Sequence, residues 1–472
     1  MVYTGISVLD YNGDELGDSV YVEKGVIAGV GPASRFLGVR RVEVDGYIMP
    51  GLVDAHMHLE GLGMKAYTVD LRGSRSAREV AKRLAGAQGP IALGRGWDQE
   101  YFEEPGLPSR KLLDEALGDK PGVAVRVCGH MAVANTAALS LARPWERFPG
   151  LVDRERGVLV EDAVYYTLEK LKAWMDPIDL VSRALGELRS YGVYGASSMA
   201  CGAREIEALE KLEAKGPLGV RVACYASSED LLGLSGREWR VVGLKLFADG
   251  SLGARTARLR EDYSDSPGTR GLLLLDSERI AERGERLLRA GFRLAVHAIG
   301  DEALDNVVEA YRRLGGGGRL RVEHASVAWD EQVEALAELG VWVVAQPHFK
   351  VSDWWIEKRL GGRARLAYRL RSMRLAGVRL AFSTDAPVEP LDPVETLRAA
   401  VGLCNEPACR AEESLRPREA LEAYTLNAAL ASGGPVRALG AIEKGRPAFL
   451  AVSTEDPRGL SGLERARVRG LV

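Results

Sequence analysis

Histidine and cysteine are scarce in this chain, six and five among 472 residues. Long apolar runs are missing too: none approaches the roughly 20 residues that a membrane-crossing helix needs. There is no basic run and no acidic tail, and the formal net charge is only -3. These absences exclude a helical membrane protein and leave nothing to suggest binding to nucleic acid or to a membrane surface. The opening stretch, MVYTGISVLDYNGDELG, has neither a charged start nor a long apolar segment, so it does not read as a signal peptide. A small, odd number of cysteines in a long chain fits a reduced, cytoplasmic protein. Cys404 and Cys409, near neighbours in LCNEPACR, read as two free thiols by a loop, with a local disulfide or a weak metal site as alternatives. Asparagine and glutamine are rare beside abundant arginine and glutamate, which leans toward a thermophilic source.

What is present is an ordinary globular composition, 46% hydrophobic and 27% charged. Residues 1–50 alternate short apolar stretches with glycine-rich turns, and residues 436–472 have the same character. The two ends are therefore expected to meet in one small β-sandwich domain. Across residues 51–435, short apolar runs alternate with helical segments such as GAREIEALEKLEAKG and DEALDNVVEAYRRLG, whose apolar positions recur at three and four. Strand candidates begin at Gly51, Val193, Leu218, Val241, Phe292, Arg319, Val341 and Arg379. The predicted fold is α/β, a (β/α)8 barrel of the TIM type, with residues 60–180 inserted after its first strand.

In such a barrel the chemistry gathers at the C-terminal ends of the strands. The scarce histidines lie there. His56 and His58 end the first strand in MPGLVDAHMHLEG, and side chains alternate along a strand, so both imidazoles point the same way and can share one metal ion. Lys245 lies late in the fourth strand, His297 ends the fifth, His324 the sixth and Asp385 the eighth. All are expected at one barrel mouth.

This ordered set resembles the amidohydrolase superfamily, and within it amidohydrolase family 3, the group of the N-substituted formamide deformylases. PGLVDAHMH resembles the opening metal motif. GRGWDQ, RVCGHMAVANTAAL, LKLFADGSLGARTA, VHAIGDEAL, RVEHA, AQPHF and STDAPV extend the likeness over nearly the whole chain. The resemblance implies that His56, His58 and Asp385 bind the more buried of two divalent cations and that His297 and His324 bind the second; such ligands suit zinc, with iron, manganese, cobalt or nickel as the alternatives. Lys245 would bridge them. An ammonium has no lone pair, so it would ligate only as the anionic carbamate formed with CO2. An ion pair at Lys245, or a single-metal site, is the alternative.

The implied reaction is hydrolysis of a non-peptide C–N bond in an amide or an N-acyl or N-formyl amine, with a small molecule as substrate and a homodimer compatible with it. A cyclic amidase, a deaminase or an esterase on the same scaffold, or a metal-binding barrel without turnover, are the rivals. Asp385 would act as general base and then general acid, though it could instead cap the helix that follows. His130 would reach the carbonyl or its oxyanion. Trp97, Asp98, Asp249 and His348 are candidate substrate contacts. For His130 and His348 structural hydrogen bonding is the competing role, for Asp249 support of the metal shell, and for Trp97 ordinary core packing. Asp54 is expected to orient a ligand. One stretch departs from the family: KGRPAFLAV has Pro447-Ala448 where an Ala-Asp turn is usual, far from the expected site.

Overall fold

Eight parallel strands, each hydrogen-bonded to the next, carry the candidate residues: β1 (Leu52–Met57), β2 (Val193–Cys201), β3 (Arg221–Ala226), β4 (Trp239–Phe247), β5 (Arg293–Ala298), β6 (Leu320–His324), β7 (Trp342–Ala345) and β8 (Arg379–Phe382). The structure is a computed structural model describing residues 1–104, 106–127 and 131–471, with the backbone alone at Asp162. β8 and β1 share no ladder, but just past their ends Asp385 N–H donates to the His56 carbonyl and His58 N–H to the Ala386 carbonyl, both at 2.8 Å. The barrel is thus nearly closed, and the closing bonds lie among the candidate site residues.

The strands are covered on both faces, which is why they read as apolar runs; all six residues of β1 are buried. Small side chains (Ala55, Ala223, Ala295, Ala381) leave room in the interior for Tyr225 and Trp342. Helices α1 (Ala203–Lys215), α2 (Ser277–Arg289), α3 (Asp301–Arg313) and α4 (Asp330–Glu338) follow strands as the spacing predicts. The Asp276 side chain caps α2 by accepting from Arg279 N–H. α3 opens with Asp301 and Glu302 and ends with Arg312 and Arg313, matching its dipole at both ends. The short helix α5 (Leu426–Ser432) offers its last carbonyls to the barrel interior. Ala431 O accepts from Tyr225 Oη at 3.2 Å, from Arg293 Nη2 at 3.0 Å and from Arg321 Nη1 at 3.3 Å.

The chain ends do meet. Leu450–Ser453 pairs antiparallel with Tyr47–Pro50, within one seven-stranded sheet. One buried core gathers residues from both ends of the chain, among them Val20, Val22, Ile48, Leu450 and Val452. This sheet and the barrel belong to one compact unit, residues 1–59 with 185–472; residues 60–184 form another. That second unit contains a six-stranded sheet with its own buried core around Trp97, Leu113 and Val133. No helix among the described residues is long and apolar enough to cross a membrane. The free thiols expected at Cys404 and Cys409 are a correction. The two are joined in a disulfide, their Cα atoms 5.8 Å apart, because the intervening turn brings their side chains face to face.

Candidate active site

β1, β5, β6 and the segment after β8 deliver four imidazoles and one carboxylate to the same end of the barrel. Asp385 Oδ1 lies 3.1 Å from His58 Nε2 and 3.4 Å from His56 Nε2. The ring centres of His56 and His324 are 4.9 Å apart, and those of His297 and His324 4.5 Å. His56, His324 and Asp385 each offer a donor atom within 4.8 Å of the others, and all three are buried. Lys245 is buried beside them, its Nζ 3.5 Å from His56 Nε2.

The partners of each ring fix its proton. His56 Nδ1 faces the Glu323 carboxylate at 2.5 Å, and His58 Nδ1 the Met199 carbonyl at 3.1 Å. His324 Nδ1 faces Gln346 Oε1 at 2.7 Å. Each of these oxygens can only accept, so Nδ1 carries the hydrogen and Nε2 keeps its lone pair. His297 is turned the other way: Nε2 donates to the Gly250 carbonyl at 2.8 Å, which leaves the lone pair on Nδ1. Two lone-pair nitrogens therefore face a carboxylate oxygen that is buried and has no hydrogen-bond donor. A buried anion needs a partner, and the buried Lys245 beside it acts on Asp385 through its charge. A divalent cation is what this donor set fits, by number, by type and by the fixed tautomers.

The electrostatics agree. Burial, reinforced by Lys245 and the neighbouring imidazoles, holds His56 and His324 well below the ordinary histidine range, and burial with Lys245 brings His297 down to about 3. These three rings are neutral across the physiological range. Burial also lowers Lys245 to about 8, against the opposing pull of Glu323 and Asp385, so its amine is within reach of the uncharged, nucleophilic form.

Those shifts tie the stability of the metal-free protein to pH in two opposing ways. An unfolded imidazole protonates below about 6.5 while the buried ones do not, so each contributes stability that is present above that pH and lost as pH falls. Asp54 and Asp249, pushed up to about 7 by burial, act in the opposite sense: their stability is present below the unfolded carboxyl range and lost as pH rises through 7. Asp353, likewise pushed up to about 7 by burial, is a third carboxyl of that kind. Three imidazoles and three carboxyls therefore nearly cancel, and between about pH 5 and 6 the stability of the metal-free chain is expected to stay nearly level. Urea titrations at several pH values measure this directly; a change of about 1.4 kcal/mol or more per pH unit in either direction contradicts it.

Several residues that shape the site escape sequence reading. Glu323 is fully buried and holds His56; it is held in turn by Arg321, which donates to it at 2.5 and 2.8 Å and to the Ala55 carbonyl at 2.5 Å. Strict alternation would turn Glu323 and His324 to opposite faces. Instead His324 has φ 73°, in the left-handed region, and both neighbours face the site. Asp385, at φ 59°, is strained in the same way. Because Arg321 and Glu323 are a fully buried pair, Arg321→Leu leaves a lone buried carboxylate and is expected to cost about 3–5 kcal/mol by chemical denaturation. A loss under about 1 kcal/mol would show that the pair is not a closed ionic unit.

Asp54 accepts from His56 N–H at 3.1 Å and from Thr384 Oγ1 at 2.5 Å, tying β1 to the end of β8. Asp249 accepts from the amides of Ile299, Gly300 and Arg258, with His297 Nε2 at 3.5 Å. Its oxygens thus hold the loop that follows His297. His348 Nδ1 pairs with the Glu389 carboxylate, which also accepts from Ser352 Oγ at 2.6 Å. Trp97 is 0% exposed in the core of the second unit, its indole N–H on the Ala124 carbonyl at 3.0 Å; the expectation of a substrate contact is corrected to core packing. Asp98 pairs with Arg126 at 2.7 Å. His130 lies outside the described residues. Phe247 stands 5.4 Å from the His297 ring and Phe349 6.3 Å from His324, giving the mouth an apolar border.

This chain is similar to known proteins over most of its length. Residues 45–459 match the amidohydrolase family. YtcJ of Bacillus subtilis (strain 168), named as an amidohydrolase, is 30% identical over 93% of this chain and 91% of that relative. The N-substituted formamide deformylase of Arthrobacter pascens is 27% identical over 93% of this chain and 90% of its own length. The crystal structure of an uncharacterized metal-dependent hydrolase from Pyrococcus furiosus superposes with a TM-score of 0.86 at 33% identity, covering 97% of this chain and all of that one. The chain belongs to the amidohydrolase family.

Proposed function

We propose that the protein is a metal-dependent hydrolase of a non-peptide C–N bond, acting on an amide or an N-acyl or N-formyl amine. The observation that carries this reading is the buried, donorless Asp385 Oδ1 facing the lone pairs of His56 and His58. A bound divalent cation would lower the pKa of a water toward about 7 and polarise the carbonyl to be attacked. Zinc suits imidazole and carboxylate donors. His56, His58 and Asp385 would hold one ion and His297 and His324 a second, with Lys245 as a carbamate between them. The neutral Lys245 amine adds to CO2 and loses one proton. A cation that the burial disfavours is thereby exchanged for an anion with two oxygens among the imidazoles.

Asp385 takes the proton from the attacking water and returns it to the nitrogen of the leaving amine, so one carboxylate serves as base and then as acid. An amide needs this second step, because an unprotonated amine leaves poorly. Glu323 keeps His56 in the tautomer that exposes Nε2, and Met199 does the same for His58. His130 is the candidate partner for the carbonyl oxygen. The apolar border of Phe247 and Phe349 would exclude water and receive an apolar acyl or amine group. The test is a panel of N-acyl and N-formyl amines incubated with zinc-loaded protein, with free amine as readout. Amine release that requires the metal supports the reading. Metal-dependent cleavage of esters with no amide turned over would replace it with esterase chemistry.

A further inference from the structure

A second cluster of ligand-type side chains lies between the barrel wall and α1, outside the histidine site. Cys201, Cys224 and Glu205 each present a donor atom within 4.8 Å of the other two, and all three are buried, at 0%, 0% and 4% exposure. Cys224 sits on β3 between Ala223 and Tyr225, which face the barrel interior, so it turns outward toward α1. Glu205 lies in the first turn of α1. Cys201 reaches the same side through a local irregularity. The β2–β3 register shifts between Met199 and Cys201, and Ala200 adopts φ 53°. Met199 packs with the interior; without the extra residue Cys201 would face inward with it. The bulge re-aims the thiol onto the outer face beside Cys224.

We propose that Cys201, Cys224 and Glu205 form a metal site for a thiophilic divalent cation of the zinc type, distinct from the histidine centre. Two sulfurs and a carboxylate that can supply both oxygens make the four donors such an ion takes. Binding replaces two S–H bonds with two metal–sulfur bonds and releases two protons. Without the cation, burial, Cys224 and Glu205 together hold the Cys201 thiol protonated. The site would clamp the end of β2, one residue from the strained Ala200 and two from Met199, whose carbonyl orients His58. A role in fixing that ligand follows from position.

Cadmium titrated into the full-length protein tests this. Sulfur-to-cadmium charge transfer absorbs in the near ultraviolet, and among the described residues the histidine centre has no cysteine that could produce it. We expect a saturable absorbance in the parent protein, lost in the C201S/C224S double variant with its circular dichroism unchanged. Glu205→Gln keeps both thiols and is expected to weaken cadmium binding roughly 10–100-fold; it also serves where the double variant does not fold. No such absorbance from the folded parent protein, its persistence in the double variant, or undiminished affinity in Glu205→Gln would overturn the proposal. The readout does not depend on turnover, so it stands apart from the fate of the hydrolase reading.

Discussion

Asp385→Asn is expected to lower turnover of any accepted amide by roughly 10²–10⁴-fold, the usual worth of a positioned acid–base group. The amide keeps one oxygen where the carboxylate had two, so it retains shape and a weak donor while losing the ability to accept a proton at neutral pH. The backbone of Asp385 closes the barrel through its bond to the His56 carbonyl, and that bond survives the substitution. Metal content should therefore fall far less than activity. Steady-state kinetics and elemental analysis on the same preparation separate the two effects. A variant with unchanged turnover would remove Asp385 from the chemistry; one that loses all metal and all activity together would reduce it to a ligand.

Lys245→Ala should change stoichiometry. If the lysine carries a carbamate between two ions, the variant loses at least one metal equivalent of the two. Bicarbonate does not restore it, because the amine that captures CO2 is gone, whereas a short carboxylic acid can enter the vacated space and supply two oxygens. In the metal-free protein stability should hold or rise, since a buried ammonium burdened by desolvation has been removed. The ion-pair alternative, in which Lys245 offsets Glu323 and Asp385, predicts the reverse: unchanged metal content and lower stability. Elemental analysis together with a denaturant melt decides between them.

Much of this arrangement was legible in the sequence because the barrel makes few demands. A strand buried on both faces reads as an apolar run, and a histidine at the end of such a run has little reason to be there unless it ligates. That logic finds β1 with His56 and His58, β5 with His297 and β6 with His324. It does not find Glu323. The residue adjoins a ligand, and alternation assigns it to the opposite face; only the left-handed turn at His324 brings both inward. Trp97 misleads for a related reason. Its motif resembles a pocket segment, yet a large indole in a strand packs into whatever core surrounds it, here that of the second unit. Asp249 shows the limit of composition: a loop carboxylate suggests a ligand or a contact, and only three backbone amides show it to be a brace. The single sheet of the chain ends and the Cys404–Cys409 bond depend on long-range pairing and on turn geometry, neither of which apolar pattern encodes.

The most direct measurement is anomalous diffraction at the zinc edge from crystals of the zinc-loaded protein. The proposed centre requires density about 2.0–2.2 Å from His56 Nε2, His58 Nε2 and an Asp385 oxygen, and a second peak beside His297 and His324. Zinc bound only elsewhere on the chain, with those imidazoles still facing an empty space, would contradict it.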